Sequence, residues 1–445
     1  MQGYDKMTKL AQLVLAYSTA EQTEVVLLSE DTQLTRFANS AIHQNVAERN
    51  VEVRVRATAG KRIGVASVNN LQDEALERVA QQALQLALLQ PENPDFVSLP
   101  APRPLSEVAA FVRATADYGP EQRAAAVGTI CALAKDRGFV ASGAFATTTA
   151  EVCVHNSLGV QAYAPTTISN LTTVVMSEDS SGYASAASPD VREIDPVATG
   201  REAVDKAVRS RKPRAIEPTE CPVVLEEYAV AELLMYIAYL GFGALSVHEG
   251  RSFMANRLGQ QITGTNISIW DDGLDGSGMP MPFDFEGTPK QRVDIISRGK
   301  ANAVVYDSFN ANRDGTESTG HALPAPNTEG PLPTNLFMQR GNASKPDMCA
   351  AISRGLWVTR FHYVNPVHPR KAILTGMTRD GTFWIEDGEI VGAVKNLRFT
   401  QGILEALSEV RMISSETKLV SDYLGAVRVP ALLIDRFAFT GATEF

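Results

Sequence analysis

VEVRVRATAGKRIGVAS, residues Val51–Ser67, is the stretch that sets the fold of the N-terminal part of the chain. In its first half, Val51–Thr58, apolar and polar residues alternate, which is typical of a β-strand with one buried face. The second half, Gly60–Ser67, has the same character, and Ala59-Gly60 between them predicts the turn of a hairpin. The stretch therefore predicts two antiparallel strands with one face turned toward a core.

The segments on either side of this hairpin predict a small α+β unit. A further apolar strand is expected at Thr23–Leu28, after a first helix at about Lys6–Tyr17. A long helix is expected at about Leu71–Leu89, because its leucines and alanines recur at three-to-four spacing, and two prolines follow it. Together these elements form a twisted sheet with covering helices.

The rest of the chain divides into two further regions. A proline-rich segment, residues 91–106, predicts a linker or an extended surface strap that ends an N-terminal domain of residues 1–106. Residues 107–220 predict a middle α+β region, and residues 221–445 are rich in strand-like runs. Within the last region the helix Glu227–Leu240 is apolar on most faces, so it is expected to be buried.

Composition and charge exclude several classes of protein. A hydrophobic content of 44% and a charged content of 21% are those of a soluble globular protein. The net charge of −10 disfavours nucleic acid as a partner. The four cysteines are scattered without metal-site or disulfide spacing, which predicts reduced thiols in a cytoplasmic protein. No apolar run approaches the ~20 residues that cross a bilayer, so no membrane segment is expected.

The second informative stretch is LSVHEGRSFMANRLGQQITGTNISIWDD, Leu245–Asp272. It contains His248-Glu249, the opening of a zinc-peptidase signature that needs a second histidine one helical turn later. The two positions where that histidine could fall are Ser252 and Phe253. Since one imidazole cannot hold a zinc ion that requires three or four ligands, no metal site is expected in this chain.

A series of motifs in a fixed order gives the chain a family resemblance. TRFANSAIHQN and GKRIGVAS near the N-terminus are followed by DFEGTP, DIISRG, STGHA, GLWVT and FWIEDGEI. In this order the motifs resemble the TldD/TldE (PmbA) family, the modulators of DNA gyrase, over nearly the whole chain. The resemblance implies an α+β N-terminal region and a β-rich, barrel-like C-terminal domain with a few helices.

The resemblance also implies a division of labour between two kinds of subunit. TldD-type chains carry His-Glu-x-x-x-His and a late cysteine that hold zinc, whereas TldE-type chains lack them and pair with a TldD-type chain to degrade or trim peptides. This chain resembles the TldE type, because Phe253 stands at the second histidine position and no cysteine follows Cys349. The expected partners are a TldD-like zinc subunit or a second copy of the chain, with an extended peptide as substrate along a strand edge.

Several residues remain candidates for a functional site. His248, Glu249, His321, His362 and His368 are candidate catalytic groups, because histidine is a common metal ligand and proton shuttle.

His321, Thr319 and Ser252 are candidates for contact with substrate. The acidic residues Asp271, Asp272, Asp284 and Glu286 are expected on surface loops, since glycines and prolines separate them.

Three functions stay open at this point. The chain is a zinc-free subunit of a TldD/TldE-type peptidase, a self-contained homodimeric hydrolase with a rebuilt histidine site, or a peptide-binding module without hydrolysis.

Overall fold

The computed structural model describes residues 1–422 and 425–442 of the 445-residue chain. Its mixed α+β structure is built on two β-sheets, one of six strands and one of eleven. The predicted fold class is therefore confirmed. No helix among the described residues combines the length and apolar character needed to cross a membrane.

The N-terminal elements comprise five helices and six strands. The helices are α1 (Tyr4–Tyr17), α2 (Asp73–Leu89), α3 (Arg113–Ala116), α4 (Pro120–Lys135) and α5 (Pro196–Arg209), with a 3₁₀ turn at Val191–Glu193. The strands are β1 (Gln22–Ala38), β2 (Ala41–Ala59), β3 (Arg62–Val68), β4 (Val140–Asn156), β5 (Gln161–Met176) and β6 (Ser181–Ser188).

These strands form one antiparallel sheet in the order β3-β2-β1-β4-β5-β6. The predicted hairpin is present, since Ala59 pairs with Arg62 across a two-residue turn. The turn residue Gly60 has φ 59°, a left-handed conformation that glycine adopts without steric cost. Strand β2 is longer than the predicted Val51–Thr58, because it begins directly after the preceding turn.

The helices cover one face of this sheet and the C-terminal part of the chain covers the other. Helices α1 and α2 pack on odd-numbered strand residues such as Val25 and Val53. Helices α4 and α5 pack on Phe145 and its neighbours farther along the sheet. The even-numbered Val26 and Val154 face the opposite way and pack against Phe283. The period-2 alternation of each strand thus separates two apolar layers.

The proline-rich segment does not separate two sheets. Strand β1 is hydrogen-bonded to β2 on one side and to β4 on the other, so residues on both sides of position 106 share one sheet. The segment lies against that sheet as a strap, since Asn156 Nδ2 donates to the Pro100 carbonyl at 2.7 Å and the Leu99 amide donates to Gln22 Oε1 at 2.8 Å. The predicted division at residue 106 therefore falls between strands that belong together.

The C-terminal elements form the eleven-stranded sheet and five short to medium helices. The strands are β7 (Thr219–Leu225), β8 (Ile269–Asp271), β9 (Val293–Ser297), β10 (Lys300–Ala301), β11 (Asn335–Met338), β12 (Arg354–His368), β13 (Ile373–Glu386), β14 (Glu389–Ala393), β15 (Leu397–Gly402), β16 (Val410–Asp422) and β17 (Gly425–Ala442). The helices are α6 (Glu227–Gly241), α7 (Ala244–His248), α8 (Ser308–Asp314), α9 (Lys345–Ala350) and α10 (Ile403–Ser408), with a 3₁₀ turn at Pro369–Lys371.

The C-terminal sheet is strongly curved around helix α6. Its main order is β10-β9-β8-β11-β17-β15-β13-β12-β7, and β17 also pairs with β7. Helix α6 is apolar on most faces and nearly all of its residues are buried, as predicted. The largest hydrophobic core surrounds this helix and contains residues from most of the strands.

A partly buried polar network joins the two parts of the chain. Lys206 of α5 donates from Nζ to Glu226 Oε2 at 2.6 Å and to Glu202 Oε1 at 2.8 Å. Trp357 of β12 donates from Nε1 to the other oxygen of Glu226 at 2.6 Å. Lys418 of β16 donates to Glu202 Oε2 at 2.9 Å. Every charged group in this network therefore has a partner of opposite charge.

Candidate functional site

The segment that begins with His248-Glu249 does not form a metal-binding helix face. Helix α7 ends at His248, and Glu249 is its C-cap residue. The amides of Arg251 and Ser252 both donate to the Ser246 carbonyl at 2.9 Å, so the chain turns away from the helix axis. The positions for a second histidine therefore lie outside the helix.

Both of those positions have structural roles. Phe253 is 2% exposed, and its ring packs edge-on against Phe242 with a centroid distance of 5.9 Å. Ser252 donates from Oγ to the Gly241 carbonyl at 2.8 Å and accepts from the Met254 amide at 2.9 Å. The Ser252 hydroxyl is therefore engaged in bonds within the chain, and the residue is only 2% exposed.

His248 is held by residues of helix α8. Its Nδ1 lies 3.1 Å from Asn310 Oδ1, and its Nε2 lies 2.7 Å from Asp314 Oδ1. Asn310 Nδ2 donates to Asp307 at 2.8 Å, which turns the amide oxygen toward the imidazole. Burial raises the pKa of Asp314, but hydrogen bonds from His248 and Tyr306 lower it further, so the pKa is below its usual value.

Glu249 points to a different neighbour. It pairs with Arg251 at 2.5 Å, and both side chains are 46% exposed. Such an exposed pair contributes little to stability and does not orient His248. His248 and Glu249 therefore contact different neighbours in this structure.

His321 belongs to a second, fully buried arrangement. Its Nε2 lies 2.8 Å from Asp271 Oδ1, and its Nδ1 lies 2.9 Å from Thr319 Oγ1. Burial and the charge of Lys290 lower the pKa of His321, although Asp271 raises it. A neutral imidazole that donates from Nε2 to Asp271 and accepts the Thr319 hydroxyl satisfies all of these contacts.

This Thr–His–Asp arrangement has the connectivity of a nucleophilic triad but not its accessibility. The side chains of His321 and Asp271 are both 0% exposed. The Thr319 hydroxyl oxygen also accepts from the Tyr306 amide at 2.7 Å. The group links the loop that precedes strand β11 to strand β8, and the predicted substrate contact of His321 stays a prediction.

Three of the four acidic residues expected on surface loops are buried. Asp271, Asp284 and Glu286 are 0%, 2% and 4% exposed. Asp284 accepts three backbone N–H bonds, from Glu286, Thr288 and Ala322, each at 2.9 Å. Burial and then the charge of Glu286 raise the pKa of Asp284 to about 7, although those amides lower it. The prediction of surface loops was wrong because glycine and proline mark turns without reporting what packs over them.

Glu286 also reaches across to the N-terminal sheet. Arg56 of β2 donates to Glu286 Oε1 at 3.0 Å and to Glu24 Oε2 of β1 at 2.6 Å. Burial raises the pKa of Glu24 to about 7, more than Arg56 lowers it. One guanidinium therefore links two carboxylates from different parts of the chain.

His362 and His368 lie on the long hairpin formed by β12 and β13. His362 pairs with Met377, and its pKa is lowered by burial and by the charges of Arg379 and Arg360. His368 is exposed at the end of β12. Within the described residues no hydrogen bond or ion pair links any two of His248, His321, His362 and His368.

The same part of the chain contains no cluster of three or more histidine, cysteine or acidic residues arranged to hold a metal ion.

One large cleft lies where the two parts of the chain meet. We name it the interunit cleft; its volume is about 950 Å³. It is bounded by the β5–β6 turn, the end of α5 and strands β12 and β13, with residues 174–181, 210–213, 360, 377–382 and 394–396 around it. Sequence reasoning missed it because its walls are distant in the chain, although Asp380-Gly381 inside an apolar strand signals a bulge.

Solved structures share the fold of this chain. The chain superposes on the crystal structure of TldE from Thermococcus kodakarensis with a TM-score of 0.89 and 21% identity, covering 98% of this chain and 100% of that one. A candidate modulator of a DNA gyrase from Thermotoga maritima gives a TM-score of 0.87 at 17% identity, covering 97% and 99%. At these identities the likeness shows the fold alone.

The family follows from the sequence comparisons. Residues 218–441 match the PmbA/TldA metallopeptidase C-terminal domain, and residues 23–87 match domain 1 of the same proteins. The chain belongs to the PmbA/TldD metallopeptidase family. The metalloprotease PmbA homolog of Haemophilus influenzae is 26% identical over 264 residues, 56% of this chain and 53% of that protein. The curated relatives are matched over between 36% and 53% of their own length.

Proposed function

We propose that this chain is the zinc-free, TldE-like subunit of a cytoplasmic peptidase complex. In that complex a TldD-like chain supplies the zinc ion, and this chain helps to hold an extended peptide substrate. The proposal concerns the role of this subunit within a family whose members are metallopeptidases.

The position of Phe253 is the observation that carries the proposal. In a His-Glu-x-x-x-His helix the second imidazole would stand at this position, beside His248. Here an apolar ring occupies it and points into the core, where it is 2% exposed. His248 directs both ring nitrogens to Asn310 and Asp314. Zinc coordination would have to displace both contacts and would still lack the further ligands that the ion needs.

The experiment combines the full chain with a TldD-type chain that carries the complete histidine motif. We expect a stable complex by size-exclusion chromatography with light scattering, with a Kd below about 1 µM. The complex should contain zinc and cleave an unfolded peptide. This chain alone should contain no stoichiometric zinc and should not cleave the peptide.

Two results would overturn the proposal. One is the failure of the two chains to associate at about 10 µM, where a micromolar complex would be mostly formed. The other is one transition-metal ion per chain, bound by this polypeptide alone and lost when His248 is replaced by alanine.

A further inference from the structure

The interunit cleft has a charge opposite to that of the whole chain. The chain carries a net charge of −10. The cleft, in contrast, has four cationic side chains and three carboxylates, which gives 4 − 3 = +1. The cations are Lys212, Arg360, Arg379 and Lys395, and the carboxylates are Glu178, Asp179 and Asp380.

Two of the three carboxylates already have partners. Asp380 is bonded to Arg360, whose Nε donates to Oδ2 at 2.7 Å. Asp179 accepts the backbone N–H of Lys212 at 3.0 Å. In contrast, the side chains of Arg379 and Lys212 form no ion pair within the described residues, and both are exposed. These two cations therefore remain available to an anionic ligand.

The backbone around the cleft adopts uncommon conformations. Lys212 and Asp380 have φ values of 53° and 54°, and Gly381 has φ 125°. A Cβ at Gly381 would lie 2.5 Å from Thr359 Oγ1, so this position requires glycine. The β12–β13 register shifts at this point, which marks a bulge. Residues in such conformations concentrate at binding sites.

Two buried hydroxyl groups in the cleft wall add a second indication of a ligand. Ser210 and Thr382 are 7% and 3% exposed and both line the cleft. Their side-chain oxygens have no hydrogen-bond partner within the described residues. Buried polar groups are normally hydrogen-bonded, so groups without a partner favour a site that is completed by another molecule.

Part of the remaining lining is apolar. Val174, Met176, Met377 and Val394 contribute to it. A volume of about 950 Å³ lies within the range typical of sites that enclose organic ligands. Apolar side chains beside two available cations suit an organic molecule that carries a negative charge.

We infer that the interunit cleft binds the C-terminal carboxylate of an extended peptide, with Arg379 and Lys212 as the groups that contact it. This inference rests on the proposed function, because it assigns one end of the peptide that the subunit would hold. The apolar side chains would receive the terminal residue of that peptide.

The test measures binding of one peptide in two forms to the full chain without a partner. The probe is an N-acetylated glycine–serine hexapeptide that ends in leucine, prepared as the free acid and as the amide. Isothermal titration calorimetry should give at least about tenfold tighter binding of the free acid, as expected for a hydrogen bond to a charged group. Arg379→Gln and Lys212→Gln should each reduce this preference, while Arg78→Gln on the exposed face of α2 should leave it unchanged.

Other outcomes would overturn the inference in distinguishable ways. Equal affinities for the free acid and the amide would refute the proposed carboxylate site but not the proposed role of the subunit. Tighter binding of inorganic phosphate than of the free-acid peptide would refute the carboxylate assignment. If neither peptide binds to this chain but the mixed complex cleaves peptide, the proposed binding site in the cleft is refuted and the proposed function is not. Failure of the complex itself to form would refute the proposed function.

Discussion

Restoring the histidine that the zinc motif lacks should damage this protein instead of activating it. The ring of Phe253 lies directly on helix α6, since a Cβ added to Gly241 would be 2.3 Å from Phe253 Cε1. It also packs edge-on against Phe242 with an interplanar angle of 73°. Phe253→His would place a polar imidazole inside this apolar core.

The magnitude follows from burial. Phe253→Ala should lower the free energy of unfolding by about 3–5 kcal/mol, the usual cost of deleting a buried phenyl ring. Phe253→His keeps most of the ring volume but buries unpaired ring nitrogens, so we expect a loss of about 2–4 kcal/mol. Because α7 ends at His248, the new imidazole would not align with the existing one, and zinc should not bind.

Urea unfolding followed by circular dichroism, with elemental analysis of the purified variants, measures both effects. Leu258→Ala is the matched control, because Leu258 lies on the same segment but is 50% exposed. It should change the free energy of unfolding by less than about 0.5 kcal/mol. One zinc ion per chain in Phe253→His would contradict the prediction that this variant does not bind zinc. A decrease in its free energy of unfolding of less than about 1 kcal/mol would contradict the predicted cost of the buried imidazole.

Three further predictions concern buried polar groups and thiols. Lys206→Met should lower the free energy of unfolding by about 3–5 kcal/mol, because it leaves Glu226 buried without its cation, and the double variant Lys206→Met/Glu226→Gln should recover part of the loss in a double-mutant cycle. Burial raises the pKa of folded Glu24 to about 7 from its usual 4.5. The contribution of this group to stability is therefore complete below pH 4.5 and declines as the pH rises toward 7. Between pH 5 and pH 8, the free energy of unfolding of the wild type, measured by urea unfolding, should fall by about 1–3 kcal/mol relative to that of Glu24→Gln. An equal change of the free energy of unfolding with pH in the two proteins would contradict this prediction. Burial raises the pKa of Cys153 and of Cys221 to about 12, so these thiols should react with a disulfide reagent at pH 8 only after unfolding, and rapid labelling of either in the native protein would refute their burial.

The secondary-structure elements that could be predicted are those that a local sequence pattern specifies. Alternation over Val51–Thr58 and the turn at Gly60 predict the hairpin because both depend on neighbouring residues only. The apolar run of α6 predicts a buried helix for the same reason. The single sheet that spans position 106 could not be predicted in this way, since the pairing of β1 with β4 joins residues more than a hundred positions apart.

The sequence by itself determined the α+β class, the order of the family motifs and the absence of a second histidine beside His248. Those features depend only on the identity of the residues and on short spacings along the chain. Only the tertiary structure decided that Phe253 faces the core, that His321 and Asp271 form a sealed pair, and that Arg379 and Lys212 border one cleft. Burial and proximity arise when distant segments pack together, and no local pattern encodes which of them will meet.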